Sequence, residues 1–305
     1  MRPRSASLAL ALACACGATS HLTPGQERMA RQLAQGEELW RSGDFRPAQR
    51  VLEQALAQAE AVDDLPARTG ALLSLGRVLE ESAPDQARLR YDEAARVAAG
   101  AGALDAESTA LSSLGSLESA AGRHDSAAKL LDRAVALARL THDTRLLARR
   151  LGERGVAARR AGELDRALAL YGEALALQRR AGDALGEAGT RANLAVVLIE
   201  QRQLAAAREH LEAALAIYHG RGEPEQIASA LERLGHVERL GGRLEVALDY
   251  LDRAFRAYRA IKRFAQAVAV LEESAQALEA AQRPEEAARC RSESARLQAA
   301  AGETR

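Results

Sequence analysis

The chain has 305 residues, and its 42 basic side chains (Lys and Arg) balance 42 acidic ones, so the formal net charge is zero. This balance argues against nucleic acid as a partner, since phosphate backbones select a basic surface. Aromatic residues make up only 3% of the chain, β-branched residues are sparse, and Ala, Leu, Arg and Glu dominate, which predicts helices.

The first residues have the layout of an export signal. Two arginines lie in the first four positions, and 6–15 is an uncharged apolar run too short to span a bilayer as a mature helix. The run ends in Leu-Ala-Cys-Ala-Cys, which resembles a bacterial lipobox and predicts lipidation at Cys16, with Cys14 as the competing acceptor. We expect a signal peptide at 1–16, a tether at 17–26, and a periplasmic lipoprotein that contacts the membrane only through its lipid. A soluble exported protein and an unprocessed cytoplasmic start are the alternatives.

Between residues 27 and 302 the sequence repeats with a period close to forty residues, and small residues recur on three phases. The first phase is Gly36, Gly76, Gly115, Gly155, Ala195, Gly235 and Ala275; the second is Ala48, Ala87, Ala127, Ala167, Ala207, Ala247 and Ala287; the third is Ala55, Ala94, Ala134, Ala174, Ala214 and Ala254, with Ser294 as the exception. A fixed period of this length indicates stacked repeats that share a continuous core. The repeats are expected near 29–68, 69–107, 108–147, 148–187, 188–227, 228–267 and 268–302.

Each repeat reads as a helix, a tight turn and a second helix. A glycine ends the first helix, and the polar residue that follows it, as in Gly43-Asp44, is expected to cap the second helix. The second repeat is one residue short, and its turn at 82–85 places Pro84 where it would open the second helix. Large side chains, such as Leu131, are expected to fill the core between the recurring small residues.

The spacing of these recurring small residues resembles that of a known repeat family. A small residue, a glycine seven positions later, and then Ala, an aromatic or Leu, and Ala at offsets 12, 16 and 19 resemble the tetratricopeptide repeat (TPR). In the fourth repeat these residues are Gly155, Gly162, Ala167, Tyr171 and Ala174. The long period is similar to that of kinesin light chains and the Leu-Gly-Asn cell-polarity adaptors. The resemblance implies an all-α, right-handed superhelical solenoid of about seven antiparallel helix pairs.

The resemblance also implies where a partner binds. In TPR proteins the first helices of the repeats line a concave groove, and transferring the groove offsets of the family to this sequence predicts ten groove residues. They are Arg77, Arg149, Glu153, Arg159, Arg160, Asn193, Val196, Arg233, His236 and Arg239. The groove would be basic near its middle and acidic at its C-terminal end, where Glu272, Glu273 and Glu279 lie, so the expected partner is an extended peptide with an acidic centre. The alternative is a face that is merely solvated.

Patterns for catalysis, metals and cofactors are missing from the sequence. There is no glycine-rich phosphate loop, no HExxH and no paired cysteine motif beyond residue 16. Arg149, Glu153 and Arg159 form the single candidate cluster of an enzyme. The sequence therefore predicts a non-catalytic scaffold, without cofactor or metal, that binds a protein or peptide. Its alternative setting is a cytoplasmic TPR sensor or regulatory domain.

Overall fold

The computed structural model describes residues 22–302, with side chains as far as residue 299. The predicted signal peptide at 1–16, with Cys14 and Cys16, and residues 17–21 of the predicted tether lie outside the described residues. The last three residues of the predicted tether, 24–26, belong to the first helix.

The described residues form fourteen α-helices and no strand. The helices are α1 (Pro24–Ser42), α2 (Phe45–Ala61), α3 (Leu65–Leu79), α4 (Pro84–Gly100), α5 (Leu104–Ala120), α6 (His124–Leu140), α7 (Thr144–Arg160), α8 (Leu164–Ala181), α9 (Ala184–Glu200), α10 (Leu204–Arg221), α11 (Pro224–Leu240), α12 (Leu244–Ala260), α13 (Phe264–Ala280) and α14 (Pro284–Gly302). Each repeat thus contributes two helices, and each first helix begins four or five residues before the repeat start assigned from the sequence.

The helices divide into two compact units. The N-terminal unit extends to Gly162 and contains α1 to α7, and the C-terminal unit begins at Glu163 and contains α8 to α14. Within each unit every helix packs against the next one along the chain. The all-α architecture of paired helices is therefore confirmed. Among the described helices, none is both long enough and apolar enough to cross a membrane.

The repeating small residues are buried because the paired helices approach each other closely. Ala127 and Ala134 on α6 have no exposed surface, and their counterparts on the other second helices are at most 1% exposed. A Cβ on Gly115 would lie 2.7 Å from Cγ of Leu131, and one on Gly235 would lie 2.7 Å from Cγ of Leu251. Glycine at these two first-phase positions thus leaves room for the large side chain opposite, and an added methyl group would force that side chain to shift.

Residues with a left-handed backbone conformation lie in the turns that follow the helices. From Gly102 to Gln282 a residue with positive φ recurs every twenty residues, at the end of first and second helices alike. Glycine occupies most of these positions, but His142, Arg202, Lys262 and Gln282 adopt the same backbone conformation. A side chain with a Cβ costs about 1–2 kcal/mol in this region, so these turns carry local strain.

That strain leads to a prediction for Arg202, whose φ is 61°. Arg202→Gly should raise the free energy of unfolding by up to about 1 kcal/mol, because relief of the left-handed strain exceeds the entropy that glycine adds to the unfolded chain. Denaturant unfolding measures the change. As a control, Ala216→Gly in the interior of α10 should destabilise the protein by about 1 kcal/mol. An R202G protein no more stable than the wild type would contradict the assigned strain.

The side-chain caps predicted for the second helices, in the turn between the two helices of a pair, are not formed. The Asp44 side chain makes no capping hydrogen bond, and its backbone N–H donates to the Leu39 carbonyl at 2.8 Å. Side-chain caps occur instead between the pairs, where Asp64 accepts from the Ala67 N–H at 3.0 Å and Asp143 accepts from two N–H groups of α7. The turns inside pairs are closed by backbone hydrogen bonds, and the backbone at Asp44 (φ −83°, ψ 62°) lacks the extended conformation usual for a side-chain cap.

The short second repeat folds differently from the others. Pro84 is the first residue of α4, as predicted. Residues 80–83 contain no left-handed residue, so the missing residue is the one that closes the other turns. Instead α3 ends at Leu79 after 15 residues, against 17 for α5, and the Ala83 N–H donates to the Leu79 carbonyl at 2.8 Å. The deletion is absorbed by unwinding the end of α3.

Candidate functional site

The side chains that the sequence assigned to the groove lie on first helices, and we call their solvent-facing side the first-helix face. In the N-terminal unit it begins with a polar bridge from α1 to α3. Arg77 Nη2 donates to Glu37 Oε1 at 2.8 Å and to Ser74 Oγ at 3.1 Å. The Arg77 guanidinium also lies 5.4 Å from the ring centroid of Trp40, which is partly buried against the core. The positive charge of Arg77 is therefore already balanced within the protein.

A second bridge links α5 to α7 and involves a residue that the sequence did not single out. Arg150 is only 3% exposed. Its Nη1 donates to Glu153 Oε2 at 2.5 Å and its Nη2 donates to Thr109 Oγ1 at 2.9 Å. Ser112 Oγ donates to the same Glu153 carboxylate. Glu153 is thus the counter-ion of a buried guanidinium as well as a surface residue.

The remaining predicted residues of this unit lie on α7. Arg149 and Arg160 are exposed, and Arg159 is half-buried. The structure pairs Glu153 with Arg150 and not with Arg149, so the triad of Arg149, Glu153 and Arg159 is not assembled around that carboxylate. The exposed arginines leave a positive surface on α7.

In the C-terminal unit the first-helix face spans α9, α11 and α13. His236 Nδ1 lies 2.8 Å from Glu273 Oε1, and Arg239 Nε donates to that oxygen at 3.1 Å. Arg239 Nη2 is 3.0 Å from His236 Nδ1, so the tautomer of the histidine decides which of its two Nδ1 contacts is a hydrogen bond. Arg233 Nη1 donates to the Ala192 carbonyl of α9 at 3.3 Å. The three predicted groove residues of α11, Arg233, His236 and Arg239, therefore contact the neighbouring helices.

The pKa values of two carboxyl groups on this face are shifted in opposite directions. Burial raises the pKa of Glu232, although the Tyr258 hydroxyl donates to it at 2.8 Å. Burial acts in the same sense on Glu273, but the hydrogen bonds and positive charges of His236 and Arg239 outweigh it and lower the pKa of Glu273. The acidic end expected at Glu273 is thus compensated from α11.

The lowered pKa of Glu273 predicts a pH dependence of stability. A carboxyl group whose pKa is depressed by folding stabilises the protein above the ordinary carboxyl pKa, and that contribution is lost as pH falls through the folded pKa. The wild type should therefore exceed Glu273→Gln in unfolding free energy at neutral pH, and the difference should shrink below pH ~4.5. Denaturant unfolding of both proteins between pH 3 and pH 7, at steps of about one unit, measures it; a constant difference would contradict the assignment.

Asn193 and Val196 lie half-buried on α9. The sequence placed them on the first-helix face by the repeat period, next to the bridges of α11. The face as a whole offers carbonyl, carboxylate and guanidinium groups held in fixed positions, and a partner's backbone or side chains could exchange hydrogen bonds with them. Across the described residues, no group of three or more His, Cys, Asp or Glu side chains is arranged to hold a metal ion.

The sequence missed a pair of buried carboxylates that lie 120 residues apart in equivalent surroundings. Glu118 is 2% exposed, accepts from Arg123 Nε at 2.5 Å and lies 3.1 Å from Arg88 Nε. Glu238 is 1% exposed and contacts Arg243 and Arg208 in the corresponding places. The hydrogen bond from Arg123 lowers the pKa of Glu118. The signal that could have found them is a glutamate at the end of a first helix, followed five residues later by arginine.

The comparisons with known proteins agree with the resemblance. Two family models, both described as tetratricopeptide repeat, match residues 105–180 and 186–260 and residues 33–83, which together are more than half of the chain. Among curated proteins, none matches significantly.

Three solved structures illustrate the fold. A kinesin light chain with nearly identical TPR-like repeats from Podospora anserina is 19% identical, with a TM-score of 0.54 over 63% of this chain and 94% of that one. A Rap protein complexed with Competence and Sporulation Factor is 15% identical, with a TM-score of 0.67 over 94% of this chain and 79% of that one. The apo form of the quorum sensor NprR from B. thuringiensis is 13% identical, with a TM-score of 0.58 over 92% and 89%. At these identities the likeness concerns the fold, and the family models identify the repeats. The chain belongs to the tetratricopeptide repeat family.

Proposed function

We propose that this protein is a non-catalytic scaffold that binds a peptide or protein segment on its first-helix faces. The proposal rests on the row of polar bridges on α9, α11 and α13. In these bridges the side chains of Arg233, His236 and Glu273 are held by hydrogen bonds and remain partly exposed. Such groups are prepositioned for exchange with a partner, which limits the ordering cost of binding. The similar Rap structure holds a bound factor, which supports an interaction role for a chain of this fold.

Crosslinking tests this function directly. A photoreactive residue at Val196 or at the exposed Gln276 should capture a protein or peptide in cells, since both positions lie on the first-helix face of the C-terminal unit. The same probe at Glu209, an exposed position of the second helix α10, is the matched control. Capture from Glu209 alone would show that the binding surface is elsewhere, and capture from none of the three positions would remove the proposal for this unit.

The charge of the exposed groups suggests the chemistry of the partner. Arg149 and Arg160 on α7 are exposed, so a peptide with acidic residues near its centre would find uncompensated positive charge there. Reversal of both charges (Arg149→Glu with Arg160→Glu) should weaken capture of such a peptide at least tenfold, with a steeper loss at low salt. Unchanged capture would remove the acidic centre from the proposal and leave the scaffold function standing.

We further propose that the protein is exported and anchored by a lipid on Cys16, with Cys14 as the competing acceptor. The proposal rests on the sequence of residues 1–16 alone. Two or more acyl chains on one cysteine give stable anchoring, whereas a single chain is marginal. Mass spectrometry of the N-terminal peptide should find an acylated Cys16 as the first residue. An intact Met1 would favour the alternative, a cytoplasmic TPR sensor or regulatory domain.

A further inference from the structure

A cavity of about 550 Å³ opens in the N-terminal unit at the C-terminal ends of α1 and α3. Its apolar walls are Trp40, Phe45 and Val78. Phe45 is the first residue of α2 and is 47% exposed, which is unusual for a large aromatic side chain. The volume lies within the ordinary range for ligand sites in proteins.

The cavity lies beside the irregular turn of the second repeat. Because that turn lacks its left-handed residue, α3 ends at Leu79 and the chain at 80–82 leaves the helix two residues earlier than it would in a complete repeat. Glu80 and Glu81, which would continue a longer helix, line the cavity instead. The deletion in the sequence and the cavity in the structure therefore occur at the same place.

The free charge at this cavity is negative. Two arginines also line it, but Arg77 is paired with Glu37 at 2.8 Å and Arg41 with Glu38 at 2.5 Å. Glu80 accepts a hydrogen bond from the Tyr91 hydroxyl at 2.5 Å, and this donor carries no positive charge that would offset a carboxylate. Glu81 is exposed and makes no hydrogen bond or ion pair with any of the described residues. Apolar walls with uncompensated carboxylates fit an amphipathic cation.

We propose that this cavity receives a lysine or arginine side chain of a partner polypeptide. The aliphatic stem packs against Trp40, Phe45 and Val78, and the charged head meets Glu80 and Glu81. Long basic side chains bind in this manner, with the stem on apolar surface and the head in a polar environment. The inference rests on the proposed function in one respect, that the occupant belongs to a polypeptide.

Trp40 is the sole tryptophan of the chain, so its fluorescence reports on the cavity without a label. The full-length protein is titrated with three blocked tripeptides, Leu-Lys-Leu, Leu-norleucine-Leu and Leu-Glu-Leu. The lysine peptide should change the Trp40 emission saturably, with a Kd at least tenfold lower than that of the norleucine peptide. Equal affinities for the lysine and norleucine peptides, or preference for the glutamate peptide, would overturn the proposal.

Variants separate recognition of charge from loss of structure. Glu81→Gln removes a charge that has no partner in the fold, and Glu80→Gln keeps an oxygen that can accept from Tyr91. The double variant should bind the lysine peptide at least tenfold more weakly, while Glu53→Gln, an exposed position of α2, should bind it like the wild type. Unchanged binding by the double variant would refute this site but leave capture from Val196 unaffected. If no partner is captured from Val196 while the lysine peptide still binds to the cavity, the proposed function is refuted and the cavity proposal is not.

Discussion

Leu131→Ala should lower the free energy of unfolding by about 2–5 kcal/mol, because the substitution removes a fully buried side chain from a close-packed interface. Leu131 has no exposed surface and packs on α6 against Gly115 of α5. Leu140 on the same helix is 63% exposed, so Leu140→Ala should change stability by less than about 0.5 kcal/mol. Denaturant unfolding of both variants measures the contrast. Equal effects would mean that α6 does not bury the face assigned to it.

A double-mutant cycle tests the close approach of these helices more sharply. Gly115→Ala alone should cost about 1–3 kcal/mol, since its methyl group would lie 2.7 Å from Cγ of Leu131. In the Leu131→Ala background the same methyl group enters vacated space, so the two costs should not add. The pair Gly115→Ala with Leu211→Ala, whose leucine is buried in the C-terminal unit, should be additive within about 0.5 kcal/mol. Additivity in both pairs would contradict the contact.

Glu153→Ala should destabilise the protein by about 3 kcal/mol, because it leaves the guanidinium of Arg150 buried without its counter-ion. Thr109 would be the remaining partner of that guanidinium. Adding Arg150→Met should recover much of the loss, since replacing both members of a buried ion pair by apolar groups is often close to neutral. Arg149→Ala, an exposed neighbour on α7, is the matched control and should have little effect.

The same variant distinguishes two roles for Glu153. The sequence placed this residue in the groove as a contact for a partner, whereas the structure shows it as the counter-ion of Arg150. A Glu153→Ala protein that keeps the stability of the wild type but loses its partner would restore the first role. A protein that loses stability, and regains both stability and partner binding with Arg150→Met, would establish the second.

The periodicity was sufficient to predict the helix pairs. Ala127 and Leu131 repeat at helical spacing within a fixed period, and burial of small anchors beside large side chains follows from close packing of identical elements. The caps were less predictable. Asp44 and Asp64 both follow a helix end and precede a helix, yet only Asp64 caps with its side chain, since the choice depends on the backbone path between the two helices.

The sequence by itself determined the class of fold, the number of helix pairs and the helices on which the candidate residues lie, because each of these depends on local spacing. Tertiary structure alone decided which charges are free. Arg77 and Glu273 are charged in the sequence, but each is balanced by a residue on another helix, 40 and 34 positions away. Neighbours on adjacent helices cannot be identified from one helix, since a side chain's charge is compensated by whatever packing brings within hydrogen-bonding distance.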